Sequence, residues 1–383
     1  MSQADTPEMP TSMQAAIMRD QKIVVDDMAV PTPGPGQVLV KTLACGICGS
    51  DLHMLRHGPR LSKTAAPGDR IMQGMDFAHD IVMGHEFCAE VLEFGPDCEP
   101  PSNKVNVKAG QMVCALPAVF GPGWRRTVGY SNDYSGGYGE YMVLQAALML
   151  PVPDNLTPEM AALTEPMAVG LHAVEMARLE RGAVPLVIGC GPVGLAVIAA
   201  LKGKGVGPIV AADYSQGRRA LAVAMGADVV IDPGEQSPYD SWRLSAVLPD
   251  AVANDISPPP PPLGPIPERL KPGVIFECVG VPGVIEQVMA GAPTQARIVV
   301  VGVCMEADTF QPYQGIIKEL NLQFVLGYTP DEFAASLAMI DSGRIDLSPL
   351  ITGRVGLGGV AQAFNDLADP DQHCKIMVQP ALV

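Results

Sequence analysis

Residues of metal-binding type stand far apart in this chain: Cys48 with Ser50-Asp51-Leu52-His53, then Gly84-His85-Glu86, then Glu165-Pro166. No single helix or loop spans such separations, and a site assembled from distant ligands has the form of a catalytic metal centre. Cys45 and Cys48 make a C-x-x-C, which alone reads as half of a zinc knuckle or as a redox pair. No second C-x-x-C follows at structural-zinc spacing and no thioredoxin-like unit surrounds it, so both readings fade. One thiolate, one imidazole and one carboxylate remain, three protein ligands that leave a fourth position open to substrate, as catalytic zinc requires. Taken singly, each residue has a plainer role: a core cysteine, a hydrogen-bonded histidine, a glutamate capping a helix.

A second constellation follows. Gly189-Cys190-Gly191-Pro192-Val193-Gly194 matches G-x-G-x-x-G and stands between an expected strand, Leu186 to Ile188, and an expected helix, Val193 to Lys204. Glycines there permit a tight turn and close approach of backbone N–H groups to a pyrophosphate, whose charge the helix N-terminus stabilises. A glycine turn that binds nothing is the plainer alternative. Asp213 ends the next strand, near the offset of about 20 residues at which a carboxylate accepts hydrogen bonds from the adenosine ribose. An acid there disfavours a 2′-phosphate, so NAD is expected over NADP; Arg218 and Arg219 either pair with such a phosphate or form an ordinary solvated helix face. Cys190 and Cys278 read as small core residues. Metal and dinucleotide together point to metal-assisted hydride transfer.

The elements that must position these residues fall into two textures. The first third carries short β-type runs broken by Pro and Gly, such as Ile23-Val24-Val25, Val38-Leu39-Val40 and Val143-Leu144, which predicts an irregular, mostly β domain. From about Ala183, apolar strands (Leu186–Ile188, Ile209–Ala212, Val229–Ile231, Val274–Phe276, Ile298–Val301) alternate with helical segments (Val193–Lys204, Arg218–Met225, Val284–Ala290), the signature of βαβ units and a parallel sheet. Beyond an apolar run at Phe324 to Leu326, a further helix is expected over Asp331 to Ile340 and a strand at Ile376-Met377-Val378. The run Pro258 to Pro267 excludes sheet and reads as a surface loop or, more sharply, as a ligand for a proline-recognition module.

Composition bounds the function classes. At 383 residues the chain exceeds what one hydrophobic core normally supports, so about two domains are expected. Its 48% hydrophobic and 17% charged residues describe a globular chain. A net charge of −16 and a pI near 4.7 repel phosphate backbones and anionic membranes, which argues against nucleic-acid and membrane partners and favours small molecules. Met1 to Gln14 lacks the pattern of a secretory signal, and the nine cysteines are scattered without a disulfide framework, so a cytoplasmic location is expected.

The combination of Gly46-Ile47-Cys48-Gly49-Ser50-Asp51-Leu52-His53, Gly84-His85-Glu86, Gly136 to Tyr141, Glu165-Pro166 and the glycine fingerprint with Asp213 resembles the zinc-dependent medium-chain dehydrogenase/reductase family, which includes alcohol, sorbitol, threonine and butanediol dehydrogenases. The resemblance runs from the 31–41 segment through Lys375. It implies an α/β fold: a Rossmann doubly wound parallel sheet for the cofactor and a mostly β, GroES-like catalytic domain. The expected boundaries are 1–166 for the zinc-binding domain, 167–327 for the Rossmann domain, and 328–383 returning to the first.

The same resemblance selects Cys48 over Cys45 as metal ligand, His85 as the second and Glu165 as the third. Glu86 is implied either as a nearby acid that exchanges with water at the metal or as a direct ligand. Asp51 is expected to hydrogen-bond His85 and fix its tautomer. A zinc ion would act as Lewis acid on the substrate oxygen, with Ser50 taking the hydroxyl proton and His53 passing it to solvent through the cofactor ribose. Cofactor contacts are expected from Gly189, Gly191, Pro192, Val193, Gly194, Asp213, Arg218, Val279, Gly302 and Lys375. The family's structural-zinc lobe needs four closely spaced cysteines after the Gly-His-Glu segment; only Cys98 and Cys114 lie in that region, so one catalytic zinc per subunit is expected.

The expected activity is oxidation of a secondary alcohol or diol with NAD, reversible toward ketone or aldehyde, in a homodimer or homotetramer. A carbonyl reductase and a non-catalytic dinucleotide-binding protein are the alternatives. Six aromatic residues, Phe120, Trp124, Tyr130, Tyr134, Tyr138 and Tyr141, form either an apolar wall near the cleft or ordinary β-domain packing. The segment Leu55 to Val82, with His57, Arg60 and His79, either shapes the substrate entrance or is a surface excursion.

Overall fold

The computed structural model describes residues 9–65, 69, 71–98, 107–247 and 270–382, so the Pro258–Pro267 stretch lies outside the described residues. The chain divides into two compact units, one of Met1–Ala162, Gly353–Asp366 and Ile376–Val383, the other of Leu163–Thr352 and Leu367–Lys375.

The first unit opens with an antiparallel pair, β1 (Ser12–Arg19) and β2 (Lys22–Ala29). Then come β3 (Gln37–Gly46), the helix α1 (Gly49–Thr64), β4 (Glu86–Phe94), β5 (Met112–Ala115), a hairpin of β6 (Ala118–Gly121) and β7 (Trp124–Thr127), β8 (Tyr141–Gln145), β9 (Met149–Pro151) and the short helix α2 (Pro158–Ala162). Strand β3 is central because its Val38, Leu39, Val40, Ala44 and Cys45 are all buried, and three strands pair with it. The register of β3 on β4 sets Gly46 opposite Glu86 and Cys45 opposite Phe87, so the residues following β3 emerge beside those preceding β4. This is how a cysteine at 48 and a histidine at 85 become neighbours.

Helix α1 starts where β3 ends. Cys48 is its N-cap in extended conformation, and the Asp51 carboxylate accepts the Cys48 N–H at 3.1 Å, satisfying a donor that the first turn would leave unpaired. Its buried face is Asp51, Met54 and Gly58, at the 3.6-residue period, and Ser50, His53 and His57 line an adjacent face. The segment read as an entrance or an excursion is therefore helical to Thr64, with Pro59 inside the helix.

The second unit is built on six parallel strands: β10 (Val184–Ile188), β11 (Val210–Ala212), β12 (Val229–Ile231), β13 (Gly273–Glu277), β14 (Arg297–Val300) and β15 (Asn321–Phe324). They lie in the order β12-β11-β10-β13-β14-β15, the doubly wound order of dinucleotide-binding sheets. Helices α3 (Thr164–Met176), α4 (Pro192–Gly203), α5 (Gln216–Met225) and α6 (Pro238–Ala246) accompany them. The strands are apolar runs rather than alternating patterns because both faces are covered. Val184, Leu186, Val210, Ile275 and Ile298 are buried in the core, each contributing about 1.5–3 kcal/mol relative to exposure. Trp242 completes that core and donates its indole N–H to the Val184 carbonyl at 2.8 Å.

Residues 328–352, expected to return to the first domain, group with the second unit instead. The helix Pro330–Asp341 buries Phe333, Leu337 and Ile340 and packs on α3, where His172 Nδ1 lies 2.9 Å from Glu332 Oε2. The return begins only at Gly353. There the chain forms β16 (Ile351–Val355) and later β17 (Lys375–Val378), which complete the seven-stranded sheet in the order β16-β17-β3-β4-β5-β9, with β8 on the other pairing of β3.

Candidate active site

Among the described residues, Cys48, His85 and Glu86 converge: their ligand atoms lie within 4.8 Å of one another. Zinc bonds of about 2.0–2.3 Å to nitrogen, oxygen and sulfur fit within that span. Cys48 is half-buried, while His85 and Glu86 are buried. Glu165 stands in the second unit, buried in the first turn of α3, where a helix N-terminus favours its negative charge.

Gly84 sets up the histidine. Its φ of +99° belongs to the left-handed region, and a methyl group there would stand 2.7 Å from the Tyr138 ring and 2.9 Å from Cys45 Sγ. The 136–141 motif packs directly against this turn: the Gly137 N–H donates to the Gly84 carbonyl at 2.8 Å and the Tyr138 N–H to the Met83 carbonyl at 3.1 Å. Two motifs that are some fifty residues apart thus form one piece of structure.

Asp51 is the hub behind the metal-type residues. It is wholly buried, and its Oδ1 lies 3.5 Å from His85 Nδ1, an ion-pair contact without the alignment of a hydrogen bond. The Tyr138 hydroxyl donates to Oδ2 at 2.6 Å and the Tyr130 hydroxyl to Oδ1 at 2.9 Å. Burial works to raise the Asp51 pKa, but His85, the Tyr138 hydroxyl and the Cys48 N–H outweigh it and hold the carboxyl below its ordinary value. Burial works against charge on His85, yet Asp51 and Cys48 outweigh it and lift the imidazole well above its ordinary value. The surroundings therefore favour positive charge at this spot, which is the electrostatic requirement of a divalent cation. With Nδ1 turned to Asp51, the other ring nitrogen is the one left for a metal.

Ser50 Oγ lies 2.8 Å from the Tyr130 hydroxyl. His53 stands one turn further along α1, with His57 stacked at a ring distance of 6.1 Å. The aromatic residues expected as wall or packing include these two hydrogen-bonding phenols; Tyr130 also lies 5.0 Å from the His85 ring. Sequence reasoning missed both roles, because a phenol 79 or 87 residues from its carboxylate leaves no local spacing to read.

In the second unit the glycine loop follows β10 and opens α4 with Gly191 as N-cap and Pro192 in the first turn. A methyl at Gly194 would collide with the Gly189 carbonyl oxygen, so the third glycine is needed for helix to approach strand. Val193 follows Pro192 in that first turn. The Asp213 carboxylate accepts the Cys190 N–H at 2.7 Å and the Ser215 N–H at 2.8 Å, bracing the loop, and each oxygen retains a lone pair for a ribose hydroxyl. Arg218 lies beside Gly191, with its Nε buried and unpartnered; Arg219 instead pairs with Asp232 at 2.9 Å.

Val279 and Gly302 gather at the carboxyl ends of β13 and β14 around the buried Glu277, which accepts the Val279 N–H on its side chain at 2.7 Å and the Gly302 N–H on its carbonyl at 2.9 Å. A methyl at Gly189 would touch Val279, so these loops adjoin the glycine fingerprint. Burial raises the Glu277 pKa although its carboxylate accepts both the Gly280 and the Val279 N–H groups. Lys375 is buried at the start of β17, where its carbonyl accepts the Thr352 hydroxyl at 3.2 Å. The pattern of glycines, N-cap and braced acid fits a dinucleotide.

Two family models match the chain: the alcohol dehydrogenase GroES-like domain over residues 34–154 and the zinc-binding dehydrogenase domain over residues 192–342. The chain is similar to the (R,R)-butanediol dehydrogenase of Bacillus subtilis, 31% identical over 96% of this chain and 100% of that protein. It is 26% identical to the sorbitol dehydrogenase of Bos taurus, over 97% of this chain and 96% of the relative. The crystal structure of the 2R,3R-butanediol dehydrogenase from Bacillus subtilis superposes with a TM-score of 0.75 at 29% identity, covering 96% of this chain and 99% of that one. The converging Cys48, His85 and Glu86, the doubly wound sheet and this likeness along nearly the whole length lead to one conclusion: the chain belongs to the zinc-dependent medium-chain alcohol and polyol dehydrogenase family.

Proposed function

We propose that this protein oxidises a secondary alcohol or vicinal diol with NAD and runs the reverse carbonyl reduction with the same residues. The observation that carries the reading is the convergence of Cys48, His85 and Glu86 in front of a fully buried Asp51. Cys48 and His85 would hold one zinc per subunit, the third ligand being either Glu165, which the family resemblance implies, or Glu86, which lies with them and would otherwise be an acid that exchanges with water at the metal. When bound, zinc supplies a Lewis acid that makes an alcohol hydroxyl more acidic, and NAD supplies the hydride acceptor.

The chain's own residues do the rest. Asp51 fixes the His85 tautomer. Ser50 accepts the proton that the substrate hydroxyl gives up, and His53 delivers it toward solvent. Gly189, Gly191, Pro192, Val193 and Gly194 seat the pyrophosphate on the α4 N-terminus. Asp213 and Arg218 take the adenosine ribose, an acid that favours NAD over NADP, while Val279, Gly302 and Lys375 complete the cofactor contacts. Structural zinc has no place in this reading, and the protein acts in the cytoplasm.

The test is NADH formation over primary alcohols, secondary alcohols, vicinal diols and aromatic alcohols, with and without chelator. Vicinal diols and secondary alcohols are expected to lead and chelator to abolish turnover; full turnover after zinc removal sinks the reading. Self-association as a homodimer or homotetramer is supported by the exposed Ile316, Phe324 and Leu326 around the edge strand β15. A monomeric mass in sedimentation velocity would remove that part.

A further inference from the structure

The Tyr130 hydroxyl touches two groups with different needs. It lies 2.9 Å from Asp51 Oδ1 and 2.8 Å from Ser50 Oγ. A phenol has one proton, and an ionised carboxylate can only accept. A phenol is a far weaker acid than a carboxyl group, and of its two neighbours only the carboxylate has no proton of its own, so the phenol's proton goes to Asp51. The contact with Ser50 must then be filled by the serine's own hydroxyl proton. Tyr138 differs: its hydroxyl is assigned to Asp51 at 2.6 Å and carries no such link to Ser50.

We propose that Tyr130 is a positioning residue for the proton acceptor of the reaction: it accepts a hydrogen bond from Ser50 while donating one to Asp51, which fixes the Ser50 rotamer and leaves Oγ as an acceptor toward substrate. No proton passes to Tyr130, and Ser50 stays a neutral hydroxyl throughout: as the substrate's proton arrives at Oγ, the serine's own proton leaves toward His53 and the arriving proton takes over the bond to Tyr130. The half-buried Ser50 and buried Tyr130 are held in register from both sides, one at the start of α1 and the other on the loop after β7, whose Tyr130 N–H donates to the Thr127 carbonyl at 3.1 Å. The two tyrosines thus divide the work. Tyr138 steadies Asp51 and through it His85, whereas Tyr130 ties the metal side to the proton side. This inference rests on the role proposed above for Ser50.

The experiment compares Tyr130→Phe and Tyr138→Phe in the zinc-loaded enzyme, with Ser50→Ala as the second arm of a double-mutant cycle. Both phenylalanine variants should give up zinc to a chelator several-fold more readily, since each removes a donor from Asp51. At full zinc loading Tyr130→Phe should lower kcat about tenfold with KM changed less than about threefold, a part of the factor of about 10²–10⁴ that positioned proton transfer supplies, and Tyr138→Phe should lose clearly less. In the Ser50→Ala background Tyr130→Phe should have little further effect on kcat. Additive losses in that cycle, or equal kcat losses from the two tyrosines, overturn the proposal.

A readout independent of turnover is the tyrosine Fermi doublet in the Raman difference spectrum of wild type minus Ser50→Ala. It should show one tyrosine oxygen losing an accepted hydrogen bond, and an unchanged doublet overturns the proposal even if Tyr130→Phe does not fold. If Cys48→Ala keeps zinc and turnover, the metal reading fails instead, and the Raman result still decides the tyrosine.

Discussion

At Cys48, His85 and Asp51 the geometry is made by side chains that reach one another from positions 48 to 138, whereas at Gly189 to Gly194 it is made by backbone that tolerates no side chain. The first region is a network of charged and phenolic groups in which every member has chemistry of its own. In the second, the acid Asp213 braces the loop by accepting two N–H groups, and the glycines contribute only the room they leave. A side-chain network is therefore expected to fail by loss of chemistry, and a backbone cradle by steric collision.

Cys48→Ala gives the largest expected effect on the first region: zinc is lost and NADH formation falls at least about a thousandfold, corresponding to roughly 4 kcal/mol of barrier. Metal analysis beside turnover checks it, and a variant that keeps both breaks the contrast at its root. Gly194→Ala probes the second region. Its methyl meets the Gly189 carbonyl, so the KM for NAD is expected to rise more than about tenfold, with stability falling by about 1–3 kcal/mol. Zinc content should stay at the wild-type level, because the damage is to the cradle alone; a parallel loss of zinc would show that the two regions are not independent.

Glu332→Gln has the smallest expected effect and serves as a control, since Glu332 is none of the residues named in either site. Glu332 closes a capping box on Thr329, accepting its N–H at 2.7 Å, and pairs with His172. Burial works to raise its pKa, but the Thr329 N–H, the His172 contact and the Thr329 hydroxyl outweigh it, so the folded value is lowered. A lowered carboxyl contributes stability that is present above its unfolded pKa, about 4.3, and that is lost as pH falls through the folded value. The variant should therefore be about 1 kcal/mol less stable near neutral pH, with the gap closing below about pH 4. A constant gap across that range in urea titrations contradicts this assignment.

The fold was largely legible because apolar runs bounded by glycine and proline are local. The apolar run Val229–Ile231 coincides with β12, and the expected helices Val193–Lys204 and Asp331–Ile340 lie within a residue of Pro192–Gly203 and Pro330–Asp341. Less legible was the side on which an element packs. The helix Pro330–Asp341 carries an apolar face that names no partner, and its attachment to α3 appears only in three dimensions. In the candidate site, Cys48, His85 and Glu86 stood out by residue type and neighbouring motif. Tyr130 and Tyr138 did not, since a tyrosine whose function is to donate to a distant acid reads from sequence like any tyrosine of a β domain. Glu277 escaped for a similar reason, as it looks like the polar end of a strand until the N–H groups it collects are seen.

The pairing of β17 with β3 sets an order in time. Met377 lies opposite Gly46, and the Ile47 N–H donates to the Ile376 carbonyl at 3.0 Å, immediately before the metal-type Cys48. During synthesis Cys48, His85 and Glu86 leave the ribosome long before the strand that secures their support. The nascent first unit therefore waits with an incomplete sheet while the second unit, folding as a domain of its own, is made. Stable zinc loading is expected only after residue 378 has emerged, and ribosome-stalled chains cut before and after β17 should differ in the zinc they retain through washing.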